Sequence, residues 1–567
     1  MSSTSYTPEK KTLGDALSDK KFPIRVPDYQ RDFSWRAKEV TDFWEDLLGF
    51  DKKYPKPDGN AGYFLGTVVM VKNGDHLLVL DGQQRFATAT ILLALFRDNL
   101  RSRANDENDA NDSAEYIQNT FISGQDRLDP SQPKTYRLEL NVADREFFKR
   151  VVQDEGFEDS KLRPSHRSHK LILGARRRLR GLIDELLAGE KTEEARVGRL
   201  LRLSGAITKH FGIVAIISDD HDQAASIFET LNERGLSLST SDLLRSWLLA
   251  NPRPLSSRSE VVNLWTRIAE THGERNVDGM IRSSWVSTHG DVKTRALYKE
   301  IKDDLTSSKT SAVEYSRNLE RDASYLKSLH KGRTGVDAVD QAARDLSDVK
   351  ATSSFPALLA AHNSLQAEEC CKLARALICL ALRHNVICGL EPGKFESAAY
   401  GCAKAISDDR QLESGLRILR ALSPSNDEVS RKLNRLAFPP KRNKAARVVL
   451  TALETSRHST GELRVVASGA KVQVEHIYPQ KPPSGKRLPQ HDKLVYMLGN
   501  LTLIAGPLNR QGSNHLYVKK KKSYLASELE ITKELPKKHV KWGRAPILAR
   551  QKRLAREIGK FLPQDLV

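Results

Sequence analysis

Apolar residues cluster at YFLGTVVMV (63–71) and HLLVL (76–80), separated by the polar turn signal KNGD, which predicts two β-strands joined by a tight turn. FATATILLALFRDNL (86–100) follows with apolar positions at helical spacing and predicts a helix. Residues Asp81 to Arg85 therefore stand where a strand hands over to a helix. FGIVAIIS (211–218) predicts a buried strand, followed by a further helix containing SIFETLNERG. From about 251 to 425 the pattern becomes helical, with apolar residues three or four apart in Phe355 to Leu365 and Cys371 to Val386. The remainder opens on a basic helix around KRNKAARVVLTALE and contains the short apolar run that ends in VEHIYPQ (474–480). The polar stretch RANDENDANDSAE (103–115) has few apolar residues and predicts a mobile surface insertion. No internal repeat is evident. The fold class expected is a multidomain α+β chain, with domains at 1–250, 251–425 and 426–567.

Length supports this division, since 567 residues exceed the roughly 250–300 at which a single core stops growing. Lys and Arg number 91 against 72 Asp and Glu, a net charge of +19, and such an excess favours a polyanionic partner, nucleic acid first. No run approaches the roughly 18 apolar residues of a membrane-spanning helix, and MSSTSYTPEK lacks a signal peptide's apolar stretch. A cytosolic protein with no membrane partner is expected. The five cysteines, Cys370, Cys371, Cys379, Cys388 and Cys402, are odd in number and lack paired Cys-x-x-Cys spacing, so buried helical thiols are expected rather than disulfides or a zinc knuckle.

Three clusters in the first part carry chemistry: VPDYQRDFSW (26–35), LDGQQRFAT (80–88) and FETLNERGLSLSTSDLL (228–244). At the second, Gly82 and the first backbone N–H groups of the helix can hydrogen-bond a phosphate, and Arg85 adds a planar cationic fork. Gln83 and Gln84 can hydrogen-bond a ligand or position water. Asp81 either holds a metal ion on phosphates or caps the helix. No Walker A loop is present, which disfavours an ordinary P-loop NTPase. Together the clusters resemble the N-terminal domain of GmrSD-type modification-dependent restriction proteins, related to the ParB-like nucleotide-binding fold. The resemblance covers roughly residues 15–250. It implies nucleoside triphosphate binding and hydrolysis at Asp81, Gly82, Gln83, Gln84 and Arg85, with Tyr29, Gln30 and Arg31 from the first motif and Phe228, Asn232, Arg234, Gly235 and Asp242 from the third.

In the last part, Glu475 and His476 offer an anionic metal ligand and a neutral imidazole on adjacent residues. On a strand end such neighbours point to opposite sides, so a twist or turn would be needed to bring both to one site. Downstream, in LGNLTLIAGPLNRQGSN, Asn500 can accept the imidazole N–H, and the Asn509 carbonyl oxygen can coordinate a hard cation. Taken alone, an adjacent Glu-His pair is more often a packed structural pair, and asparagines near glycines are usually turn residues. VEHIYPQ, LGNLTLIAGPLN and KKKKSYL resemble the HNH, or His-Me finger, nuclease motif, the C-terminal partner of the N-terminal domain in GmrSD-type proteins. This resemblance implies a ββα-metal fold embedded in helices. In it His476 is the general base, Asn500 its orienter, and Glu475 and Asn509 the ligands of Mg2+ or another divalent cation. Glu stands where Asp is commoner, zinc-binding cysteine pairs are absent, and His515 is an alternative ligand. The lysine run Lys519 to Lys522 predicts a solvated face or a track for a DNA backbone.

The resemblance thus implies a modification-dependent, antiphage DNA endonuclease regulated by NTP. Its substrates would be double-stranded DNA carrying glucosylated hydroxymethylcytosine or, as in the related SspE proteins, phosphorothioate. A homo-oligomer is compatible with it. The alternatives are a nucleotide-switched DNA-binding protein without nuclease activity and an RNA-directed nuclease.

Overall fold

A computed structural model describes residues 6–28, 30–58, 61–104, 109–124, 134–157, 163–219, 223–224, 227, 239–250, 257–273, 276–457, 472–512 and 515–566. The chain divides into two compact units, Met1–Val262 and Asn263–Val567. The helical stretch and the region carrying VEHIYPQ share the second unit.

The first unit is built on a six-stranded mixed sheet. Its strands are β1 (Tyr6–Thr12), β2 (Ile24–Arg25), β3 (Tyr63–Asn73), β4 (His76–Asp81), β7 (Leu138–Glu139) and β8 (Phe211–Ser218), in the order β1-β8-β3-β4-β2-β7. A separate ribbon pairs β5 (Ser123–Gly124) with β6 (Thr135–Tyr136). β3 and β4 form the expected antiparallel pair, with Gly74 at φ +62° in the connecting turn. β8 runs parallel to β3, where its apolar run is buried between neighbouring strands. The helix Gln83–Arg101 follows β4 directly and is buried from Phe86 through Arg97 without a break. Alanines and threonines between its large residues let it pack on several sides. Each fully buried Phe or Leu, such as Phe86, Leu92 and Phe96, contributes about 1.5–3 kcal/mol.

The polar stretch 103–115 differs from expectation. Residues 105–108 lie outside the described residues, but Ala110–Ile117 is a helix that buries Ala110, Ala114 and Ile117. That spacing makes a narrow apolar stripe, and two of its three members are alanines, too small to dominate the local composition. The helix expected around SIFETLNERG (226–235) lies outside the described residues except for Ile227.

The second unit is helical up to the helix Asn443–Thr455. All five cysteines are free, and four are buried. Beyond that helix, β9 (Val472–His476) pairs antiparallel with β10 (Leu501–Ala505), and the helix Gly506–Gly512 follows β10 without a loop. The result is a ββα arrangement supported by the helices Tyr517–Leu525 and Arg544–Arg556. Among the described residues, no helix is long and apolar enough to cross a membrane.

Candidate functional site

In the first unit the strand-to-helix junction is held by two close approaches that only glycine permits. Gly82 has φ +98°, and a Cβ there would lie 2.9 Å from Cγ2 of Val68. Gly66, at φ +119°, leaves room for the Arg85 guanidinium, which would sit 3.2 Å from a Cβ at that position. Arg85 Nη1 donates to the Thr67 carbonyl at 2.7 Å, and Nη2 lies 3.8 Å from Asp81 Oδ2. Burial raises the Asp81 carboxyl above its ordinary pKa, while Arg85, the Gly82 backbone N–H and Arg31 pull the other way. Arg31 also lies 3.8 Å from Asp242. Members of the first, second and third motifs therefore meet here. Tyr29, Phe228, Asn232, Arg234 and Gly235 lie outside the described residues.

The first motif is clamped onto the junction. The Gln84 side chain accepts the Ser34 N–H at 2.9 Å and donates to the Asp32 carbonyl at 3.3 Å. Two residues that motif reading missed complete the clamp. Asn141 donates to the Gln30 carbonyl at 3.0 Å and to Asp32 Oδ1 at 2.8 Å, and buried Asp144 accepts the Phe33 N–H at 2.8 Å. Their signal was the polar NVAD between an apolar strand and an apolar helix. A shallow pocket of about 10 Å³, room for about one water, opens among Arg31, Gln83, Gln84, Asn141 and Asp144. In its lining, buried Arg31 Nε has no hydrogen-bond partner among the described residues, and neither has Nε2 of Gln30, the preceding residue. Unpartnered donors beside a guanidinium suit an anionic ligand rich in acceptor oxygens.

In the second unit β9 ends on His476, which pairs with Leu501, while Glu475 pairs with Thr502. Strand alternation sends the two side chains to opposite sides. The His476 ring meets Tyr496 edge-on at 5.7 Å between centroids, and Gln480 Nε2 lies 3.1 Å from its Nε2. Burial, and then the Lys520 ammonium, push the imidazole down to about 4, so it is neutral near pH 7. A neutral imidazole at the mouth of a strand end can take a proton from water.

Glu475 faces the other way. Its Oε1 accepts from Lys520 Nζ at 2.6 Å and from the Tyr524 hydroxyl at 3.0 Å, both on the helix Tyr517–Leu525. Lys520, only 1% exposed, departs from the solvated face expected of the lysine run. Sequence reading missed Lys520 and Tyr524 as partners; their only signal is that Lys520 and Tyr524, four apart, share one helix face.

Asn500 also differs from expectation. Its amide does not reach the imidazole: it donates to the Tyr478 and Val495 carbonyls, each at 3.0 Å, and accepts from the Tyr478 N–H at 2.8 Å and from Trp542 Nε1 at 3.0 Å. The side chain is fully buried behind the turn that follows the histidine, so it orders the backbone instead of the ring. Asn509, on the helix Gly506–Gly512, donates to Gln473 Oε1 at 2.9 Å. Gln473 shares a strand face with Glu475, so Asn509 stands on Glu475's side of β9. His515 lies at an exposed position. Among the described residues no three or more His, Cys, Asp or Glu side chains gather as a metal cluster.

Two family models match the chain: the GmrSD restriction endonuclease N-terminal domain over residues 13–249 and the GmrSD restriction endonuclease C-terminal domain over residues 423–557. A comparison with curated proteins found no match.

Proposed function

Because the chain belongs to the GmrSD-type restriction endonucleases, a nuclease family whose substrate is DNA, we propose that it is an HNH-type enzyme that cuts modified DNA under the control of a nucleoside triphosphate. The observation that carries the reading is His476, a neutral imidazole at the end of the first strand of a ββα unit. His476 is the general base, and Asn500 holds its turn. Asn509 and Mg2+ form the proposed cation site. A divalent ion accords with the family in general, and when bound it would neutralise charge developing on the phosphodiester. Glu475 is left out of that site, because its Oε1 is already paired with the Lys520 ammonium and the Tyr524 hydroxyl.

In the first unit, Arg31, Arg85, Gln30, Gln83 and Gln84, with Asp81 and the Gly82 backbone, receive the nucleotide phosphates. Tyr29, Asn232 and Arg234 join them on the strength of the motif alone. Phosphodiester hydrolysis needs no energy from NTP, so the nucleotide biases a conformational equilibrium. We assign 1–250 to the nucleotide module, 251–425 to a helical connector and 426–567 to the nuclease. The test is cleavage of plain, glucosylated hydroxymethylcytosine and phosphorothioate DNA with Mg2+, with and without each NTP. Cutting of one modified DNA, altered by one NTP, supports the reading. Absence of cutting on every DNA, with tight nucleotide-dependent binding instead, would favour a nucleotide-switched DNA-binding protein.

A further inference from the structure

Lys520 lies in a run of four lysines, yet its ammonium is buried against the strand that carries His476. Its Nζ donates to Glu475 Oε1 at 2.6 Å and to the His476 carbonyl at 2.8 Å, while the Tyr524 hydroxyl adds a second contact on the same carboxylate oxygen. A lysine is buried this deeply only when it is paired, and here the pair closes on the backbone of the candidate base. On the following residues, the Ile477 N–H donates to the Asn500 carbonyl at 2.9 Å, and the Asn500 amide holds both polar groups of the Tyr478 backbone. The peptide leaving His476 is thus fixed by Lys520 at its carbonyl and by Asn500 in the two residues beyond.

The two oxygens that meet Nζ, a carboxylate and a backbone carbonyl, are the donor types a hard cation would take. A divalent ion bound to Glu475 Oε1 would stand against a buried ammonium, like charge beside like charge.

We propose that Lys520 is the site's built-in cation: with Glu475 and Tyr524 it forms a positioning device that sets the His476 backbone, and Glu475 is not a ligand of the divalent ion. This rests on His476 being the general base. The lysine run then divides by burial, with Lys519 and Lys522 exposed and Lys520 turned inward.

The experiment is a Mg2+ titration of DNA cleavage by the full-length protein, comparing wild type with Glu475→Gln, Lys520→Met, the double variant, Asn509→Ala and His476→Ala. Lys520→Met alone strands a buried carboxylate and could unfold the region, so the neutral double variant, checked by thermal unfolding, is decisive. The expected result is a fall of roughly 10- to 100-fold in kcat for Glu475→Gln and for the folded double variant, the scale of a misplaced catalytic group. The half-saturating Mg2+ concentration and KM for DNA stay at the wild-type values, whereas Asn509→Ala raises the metal requirement. A tenfold or greater rise in half-saturating Mg2+ for Glu475→Gln would make Glu475 a ligand and overturn the proposal. So would a folded double variant cutting at the wild-type rate while His476→Ala is dead. Wild-type cutting by His476→Ala would instead remove the general-base reading itself.

Discussion

Replacing Asn500 by alanine separates two roles that sequence alone leaves merged. The side chain is fully buried and makes four hydrogen bonds, two to the Tyr478 backbone, one to the Val495 carbonyl and one from Trp542. Truncation strands two buried donors, the Tyr478 N–H and Trp542 Nε1–H, at about 1–3 kcal/mol each. The two carbonyls lose a donor as well, at the lower end of that range, so the total is about 4–8 kcal/mol. That is a large share of the roughly 5–15 kcal/mol that holds a typical domain, and it corresponds to a fall in Tm of roughly 10 °C. The assay is thermal or urea unfolding of the full-length variant, read beside DNA cleavage at a temperature where the variant remains folded. Cleavage should fall together with stability, because the turn behind His476 loses its ties. If Asn500→Ala unfolds within about 1 kcal/mol of wild type yet cuts more than roughly 100-fold more slowly, the side chain acts on the imidazole or the substrate directly, and the hydrogen-bond reasoning fails.

Gly82→Ala should destabilise the first unit by about 1–3 kcal/mol, since φ +98° and a contact at 2.9 Å with Val68 both oppose a side chain; thermal unfolding checks it, and an unchanged Tm contradicts it. For His476 the folded imidazole is depressed to about 4, by burial and then Lys520, against roughly 6.5 when unfolded. The fold favours the neutral ring, so its contribution to stability is present above about pH 6.5 and is lost as pH falls toward 4. With Lys520 as the charge acting on it, the acid limb of single-turnover cleavage should lie well below about pH 6, and a limb near 6.5 would refute this. Arg85→Ala removes the guanidinium that Thr67 and Asp81 hold in place, and it should lower NTP hydrolysis at least roughly tenfold while leaving an intact ββα unit, measured by phosphate release and circular dichroism.

The elements whose apolar residues follow one period were legible: β3, β4, β8 and the helix that begins at Gln83 lie where alternation and helical spacing put them. The ββα order was legible only through the resemblance of VEHIYPQ and LGNLTLIAGPLN to the HNH motif, not from the pattern of apolar residues. Partners were not legible where they depend on burial of charged side chains. Lys520 is written as one of four identical lysines, and only the packing of its helix against β9 singles it out. Asn500 was read by chemical type as a hydrogen-bond acceptor for the ring, but the position of Trp542, far along the chain, decides what that acceptor receives. The clamp made by Asn141 and Asp144 joins residues more than a hundred positions from the motif they hold, and no local pattern carries such a contact.

The most direct measurement of the central claim is a paired assay on wild type and His476→Ala: nicking of a cleavable DNA with Mg2+, and NTP hydrolysis in the same preparations. The account predicts that His476→Ala loses cutting by at least roughly 100-fold while NTP turnover and Tm stay at the wild-type values. A folded His476→Ala protein that still cuts DNA at the wild-type rate, or one that loses both activities together, would contradict it.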